Sequence, residues 1–300
     1  MSIMVKEVLN MAEAALTKAG CPDPKLDAER LLQYQHHLDS MGLFLMKSKM
    51  MDQKDFEEYF KLVDFRLAGM PLQYITGSQE FMGLEFKVNQ HVLIPRQDTE
   101  TLVETALEYL KGEDPDRRLK HKGDWKILDL CCGSGAIGIS LARLAEDAGQ
   151  KVKVTAADLS EEALKVAREN ASRLGTDKKM TFVSGDLFRP FKKRLGKTRF
   201  QMIVSNPPYI PSEVIPTLQT EVKDHEPRMA LDGGPDGLDF YRRILTEARE
   251  HLEKGGVLLL EIGYDQGKAL EQLYDTIPGY AGFRLIQDLA GQDRVVVIYG

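Results

Sequence analysis

Apolar positions recur at helical spacing up to about residue 70, then at every second residue, then in short runs that alternate with further helical stripes. Val5, Val8, Leu9, Ala12 and Leu16 mark a first helix, closed by Gly20 and Pro22. A second is expected from near Asp27, with Ala28, Leu31, Leu32 and Leu38 turned inward. A third is expected from Asp52 to Leu67 on a stripe of Phe56, Phe60, Val63 and Leu67. Asp52 suits its N-cap, Gly69 its C′ position, and Pro71 stops continuation. Residues 1–72 therefore read as a small α-helical domain. Leu84, Phe86 and Val88 then alternate with Glu85 and Lys87 after Gly83, which predicts a β-hairpin in a linking segment, 73–95.

Residues 96–300 read differently. Residues 111–124 are a charged, turn-rich connection. From Trp125 the pattern is strand, turn, helix, repeated. Strands are expected at 125–130, 152–157, 180–183, 200–205 and 257–262, and helices near 135–147, 160–174, 238–253 and 265–276. That alternation predicts an α/β, doubly wound parallel sheet. Phe283–Asp288 and Arg294–Tyr299 follow with no helix between them, so the last strand should run antiparallel at or near the sheet edge.

Composition narrows the class. The chain has 300 residues, 43% hydrophobic and 29% charged, enough to bury a sizeable core and too apolar for wholesale disorder. No apolar run approaches the ~18 residues of a membrane span, and the N-terminus carries charge where a signal peptide would be apolar. Three cysteines, two of them adjacent, fit a reducing cytoplasm rather than a disulfide framework, and no CxxC pair suggests a metal site. The net charge of −6 lacks the basic footprint of a dedicated nucleic-acid binder. The run Lys192, Lys193, Arg194, Lys197 and Arg199 is read as a solvated loop.

The candidate cofactor site starts at Ile127-Leu-Asp129-Leu-Cys131-Cys132-Gly133-Ser134-Gly135-Ala-Ile-Gly138, a strand running through a glycine loop into a helix. Read literally, Gly133 to Gly138 is GxGxxG, the dinucleotide fingerprint. Asp129 speaks against that reading, because a carboxylate four positions before Gly133 would repel a pyrophosphate. It would suit a positively charged cofactor such as S-adenosylmethionine. Asp158, with Leu159 behind it, ends the second strand and is placed to accept hydrogen bonds from two ribose hydroxyls. Asp186 and Leu187 follow the third strand, an acid for an adenine amino group and an apolar wall for its face.

The candidate chemical site is Asn206-Pro207-Pro208-Tyr209, after the fourth strand. Two prolines remove two N–H donors and leave carbonyls that only accept. With the Asn206 side-chain oxygen and the Tyr209 ring, they would hold a planar NH₂ group by both hydrogens. Amides and exocyclic base amines have such groups.

The loop and the glycine-rich half together resemble a class I S-adenosylmethionine-dependent methyltransferase, with its Rossmann-like sheet, acting on amide or amino nitrogen. Pro71-Leu-Gln-Tyr-Ile-Thr-Gly77, Glu80-Phe-Met-Gly83, Val92-Leu-Ile-Pro-Arg96-Gln-Asp-Thr-Glu100, His225 to Gly234 and Asp236 to Arg242 are similar to the release-factor glutamine methyltransferase family, the HemK/PrmC type. The resemblance covers nearly the whole chain. It implies that the helical domain recognises a class 1 peptide chain release factor, and that the glutamine of its Gly-Gly-Gln motif is methylated, leaving S-adenosyl-L-homocysteine. Asn206 to Tyr209, with Arg96, would then bind substrate, and residues 131–135, Asp158, Leu187 and Asn206 the cofactor. It also implies a cytoplasmic enzyme, expected to be monomeric and metal-free. Cys131-Cys132 stands where the family usually has Gly-Thr, and Gln97 where it has proline. The alternatives are a ribosomal-protein glutamine methyltransferase, a DNA adenine methyltransferase and a non-enzymatic cofactor-binding module. The Arg96–Glu100 stretch, the acidic charge and the intact Asn206 to Tyr209 argue against each in turn.

Overall fold

The computed structural model describes residues 2–113, 123–192 and 198–300. Most of the 111–124 connection, and residues 193–197 of the basic run, lie outside them. The chain divides into two compact units, one of residues 1–78 with 219–225, the other of 79–218 with 226–300. The sequence reading ends the helical domain at 72 and assigns 219–225 to the second domain, so the two divisions differ there.

The first unit contains β1 (Ile3–Met4), α1 (Val5–Lys18), α2 (Pro24–His36), α3 (Ser40–Met46), β2 (Met50–Met51), α4 (Gln53–Leu67) and α5 (Leu72–Thr76). The inward positions expected for α1 are all buried. The Asp52 side chain caps α4 by accepting from the Asp55 amide at 2.9 Å. The buried stripe of α4 is Tyr59, Val63 and Arg66, with Phe56, Phe60 and Leu67 only partly covered. A polar residue sits in that stripe because Arg66 is paired on both sides, with Asp27 at 2.6 Å and Glu221 at 2.8 Å. Helices α3 and α5 and the β1–β2 ribbon were not anticipated, since each is too short to show a period.

The second unit contains β3 (Ser78–Phe81), β4 (Leu84–Lys87), α6 (Glu100–Lys111), β5 (Trp125–Leu130), α7 (Ala136–Asp147), β6 (Val152–Asp158), α8 (Glu161–Arg173), β7 (Met180–Ser184) and β8 (Phe200–Ser205). After α9 (Thr220–Lys223), which belongs to the first unit, come α10 (Asp239–His251), β9 (Leu252–Glu261), α11 (Gly267–Asp275), β10 (Gly282–Gln287) and β11 (Asp293–Tyr299). The β3–β4 hairpin turns on Met82 and Gly83, both at positive φ.

Seven strands form one sheet in the order β10-β11-β9-β8-β5-β6-β7. The pairs β5–β6, β6–β7, β5–β8 and β8–β9 are parallel. β11 runs antiparallel to both β9 and β10, one strand in from the edge, as the missing helix implied. Each central strand is apolar on both sides because both faces are covered. Ile127, Val204, Leu259 and Val297 pack with α6 and α7, while Leu128, Ile203, Leu258 and Val296 pack with α10 and α11. β9 starts five residues earlier than expected, where Leu252 pairs with Phe200 across a bulge and α10 stops at His251. α6 was missed, although Leu102, Val103, Ala106, Tyr109 and Leu110 give it a helical stripe. Among the described residues, no helix is long and apolar enough to cross a membrane.

Candidate active site

The carboxyl ends of β5, β6, β7 and β8 open into one cleft with a volume of about 230 Å³. This is where ligands sit in open parallel sheets. Of the residues singled out from sequence, Cys131, Gly133, Asp158, Leu159, Asp186, Leu187, Asn206 and Pro208 line it. Asp129, Cys132, Ser134, Gly135, Pro207, Tyr209 and Arg96 do not.

The cleft's floor is the glycine loop. Gly133 (φ +54) leaves open space where a Cβ would stand, so a ligand can approach its backbone. Gly135 (φ +80) packs against Ile139 and Ala167 instead. Asp158 takes the Gly133 amide on Oδ2 and the Ser160 amide on Oδ1, both at 2.8 Å. Each oxygen keeps a lone pair for a ligand in the cleft. Burial raises its pKa, and the backbone N–H groups pull the other way. Ser160, not Asp158, caps α8 through its hydroxyl.

Four expectations change on contact with the structure. Asp129 lies wholly buried beneath the loop, with Oδ2 accepting from the Gly138 amide at 2.9 Å and Oδ1 without a partner. Burial pushes its pKa up to about 8, so near neutral pH it is mostly uncharged and does not present a carboxylate to a cation in the cleft. Asp186 spends both oxygens on Arg243, at 2.5 and 2.6 Å. Arg96 pairs with the buried carboxylate of Glu226, which also accepts from the Ile94 amide at 3.2 Å. Tyr209 directs its hydroxyl to Glu261 at 3.3 Å, away from the cleft, and burial raises its pKa well above the usual range.

Asn206 is the polar side chain at the chemical end. Its Nδ2 donates to the Thr99 hydroxyl at 3.2 Å, while Oδ1 has no protein partner among the described residues. The loop that carries it is clamped through its backbone. Gln266 Nε2 donates to the Tyr209 carbonyl at 3.0 Å, and the Ile210 amide donates to the Leu231 carbonyl at 3.0 Å. Gly233 and Gly237 lie so close to Tyr209 that a Cβ on either would come within 2.7 and 2.3 Å of its backbone. This gives the Leu231-Asp-Gly-Gly-Pro-Asp-Gly stretch its physical reason. It also brings Pro227, Met229 and Asp232 to the wall of the cleft beside Pro208.

Residues 7–77 match the model of the PrmC N-terminal domain, and residues 121–278 match a methyltransferase domain. A release factor glutamine methyltransferase from Moorella thermoacetica is 41% identical over 295 residues, spanning 98% of each chain. The chain belongs to the release factor glutamine methyltransferase family. Other members are as evenly matched: 40% identity in Geobacter sulfurreducens, over 97% of this chain and 95% of that one, and 37% in Clostridium acetobutylicum, over 98% and 97%. The solved hMettl16 catalytic domain in complex with the MAT2A 3′UTR hairpin 6 is 13% identical with a TM-score of 0.53, covering 84% of each chain. At that identity it shows a shared fold alone.

Against this methyltransferase background the loop cysteine stands out. Cys131 adopts φ +57, a left-handed conformation that a side chain disfavours. Burial holds the Cys131 and Cys132 thiols above the ordinary range, so neither is an activated thiolate. Two residues of the enzyme's site escaped the sequence reading. Asn170, fully buried on α8, donates to the Ser134 carbonyl and to the Lys87 carbonyl, both at 3.0 Å, tying the glycine loop to β4. Glu261 ends β9 beneath Tyr209. A lone polar residue, on the buried face of α8 for Asn170 and at the end of apolar β9 for Glu261, is the signal each leaves in sequence.

Proposed function

We propose that the enzyme transfers a methyl group from S-adenosylmethionine to the side-chain amide nitrogen of the Gly-Gly-Gln glutamine of class 1 release factors. The observation that carries this reading is the Asn206 side chain in the cleft, its N–H edge tied to Thr99 and its Oδ1 free to accept. An amide NH₂ needs acceptors, and Asn206 Oδ1 with a proline carbonyl supplies them.

The cleft fits the cofactor on its own evidence. Gly133 leaves its backbone open, and Asp158 offers two oriented oxygens for a ribose diol. Leu187 supplies an apolar wall. Asp186 would meet an adenine amino group while still paired with Arg243. Bound there, S-adenosylmethionine supplies an electrophilic methyl and a good leaving group.

The protein's own part is positioning. Asn206 Oδ1 holds one N–H of the glutamine amide, aligns its nitrogen, and stabilises the positive character that develops there. No strong base is required before transfer, since the methylated amide nitrogen is acidic and sheds its proton to solvent. The first unit is proposed to recognise the release factor, which the match of residues 7–77 to the PrmC N-terminal domain supports.

The test is mass-spectrometric analysis of a purified bacterial release factor after incubation with enzyme and S-adenosylmethionine. One methyl group on the Gly-Gly-Gln glutamine, lost when that glutamine is replaced, is the expected result. Methylation elsewhere, or none, overturns the reading.

A further inference from the structure

Cys131, Gly133 and Gly135 all sit at positive φ. A loop with that backbone does not hold its shape by propensity, so groups outside it must hold it. Asp158 does so at the Gly133 amide. The Ser134–Gly135 peptide is held at both edges. Its N–H, on Gly135, donates to the Cys132 carbonyl at 2.8 Å, and its carbonyl, on Ser134, accepts from Asn170 Nδ2 at 3.0 Å. That fixes the peptide plane beside Gly133, and with it the backbone that Gly133 presents to the cleft.

Asn170 is fully buried, and the rest of its amide goes to one other residue. Nδ2 also donates to the Lys87 carbonyl at 3.0 Å, and Oδ1 accepts from the Lys87 amide at 2.7 Å. Turned round, the side chain would set its oxygen against two carbonyls and its N–H groups against another N–H. One orientation alone satisfies all three bonds. Lys87 ends β4, and the chain then runs into His91, Val92 and Leu93, which line the cleft. The far end of that wall is held at Ile94, whose amide donates to buried Glu226 at 3.2 Å. Two ion pairs also join β4 to α8, Lys87 with Glu169 at 2.7 Å and Arg173 with Glu85 at 3.2 Å, but both are open to solvent and contribute little.

We propose that Asn170 is a positioning residue for the cofactor: it locks the glycine loop, the floor of the cleft, to the backbone of β4, from which one wall of the cleft departs. It lines no part of the cleft itself. The proposal rests on the reading of this cleft as the S-adenosylmethionine site. The coupling is reciprocal. Undocking β4 loosens the loop and weakens cofactor binding, so bound cofactor holds β4 down by the same factor.

Calorimetric titration of S-adenosylmethionine into the full chain tests it. Asn170→Ala removes all three bonds and should weaken binding by about tenfold or more, at about one site per folded molecule. Ile298→Ala, a buried truncation on β11 outside the cleft lining, is the control. It should lower the melting temperature and keep affinity within about twofold. A merely structural Asn170 would behave like that control, so Asn170→Ala binding as tightly as wild type overturns the proposal. Melting curves show whether the variant folds. If it does not, Asn170→Ser is read in its place, since its smaller side chain admits water to the three backbone groups. Hydrogen exchange of the wild-type enzyme gives a reading that needs no variant. Lys87 does not line the cleft, yet saturating cofactor should slow exchange of its amide by about tenfold. Unchanged exchange there, with the loop amides protected, also overturns the proposal. Asp158→Ala is titrated alongside. Weak binding by Asp158→Ala with tight binding by Asn170→Ala refutes the positioning role alone, whereas tight binding by Asp158→Ala removes the cofactor-site reading beneath it.

Discussion

The Gly133 amide donates to Asp158 Oδ2 at 2.8 Å, so the glycine loop after β5 and the acid ending β6 form one device. Either could be read alone as a local feature. Joined, they hold an open stretch of backbone beside two oriented carboxylate oxygens at the switch point of the sheet.

Asp158→Ala removes those oxygens and releases the loop amide. Charge-assisted hydrogen bonds contribute about 1.5–3 kcal/mol each, so S-adenosylmethionine affinity should fall roughly ten- to a hundredfold. Calorimetric titration measures this directly. Unchanged affinity would remove the carboxylate from the cofactor site.

Much of this device was legible in the sequence, because it lies where a periodic strand meets turn residues. The runs 125–130 and 200–205 coincide with β5 and β8, and Cys131, Gly133, Asp158, Leu187 and Asn206 reach the cleft because strand ends converge there. What was not legible is where a polar side chain spends its hydrogen bonds. Asp129 turns under the loop to Gly138, Asp186 to Arg243, and Tyr209 to Glu261, each set by a partner distant in the chain. Leu102, Val103, Ala106, Tyr109 and Leu110 give α6 a helical stripe, so that element is legible in the sequence as well.

Cys131→Gly should stabilise the enzyme. A side chain at φ +57 costs about 1–2 kcal/mol, and glycine's extra freedom in the unfolded chain returns part of that. A net gain of roughly 0.5–1 kcal/mol should appear as a small rise in melting temperature, with cofactor affinity retained. A lower melting temperature would mean the thiol's packing outweighs the strain.

Asp129 makes stability depend on pH. Its folded pKa, about 8, lies above its unfolded value, so between about pH 4 and 8 the folded state binds more protons. Stability from this group therefore falls as pH rises through that window. Asp129→Asn keeps an acceptor for the Gly138 amide and should flatten the melting profile between pH 5 and 8. A profile as steep as wild type would show that the carboxyl is ionised in the fold.

Arg66→Met leaves Asp27 buried and Glu221 half-buried without their cation. Breaking such a site costs about 3–5 kcal/mol, here confined to the first unit. Limited proteolysis should then cut within residues 1–78 first. If that unit recognises the release factor, methylation of the intact factor should fall further than methylation of a short Gly-Gly-Gln peptide. Equal losses on both would argue that the unit serves only stability.

The central claim is that Asn206 Oδ1 holds the glutamine amide during transfer, and single-turnover methylation by Asn206→Ala and Asn206→Asp tests it most directly. The account predicts a loss on the order of a hundred- to a thousandfold for alanine, comparable to removing an oxyanion-hole donor, with cofactor affinity within a few fold. Aspartate keeps an acceptor of the same size, so Asn206→Asp should retain part of the rate. An Asn206→Ala variant that transfers the methyl group as fast as wild type would contradict the account.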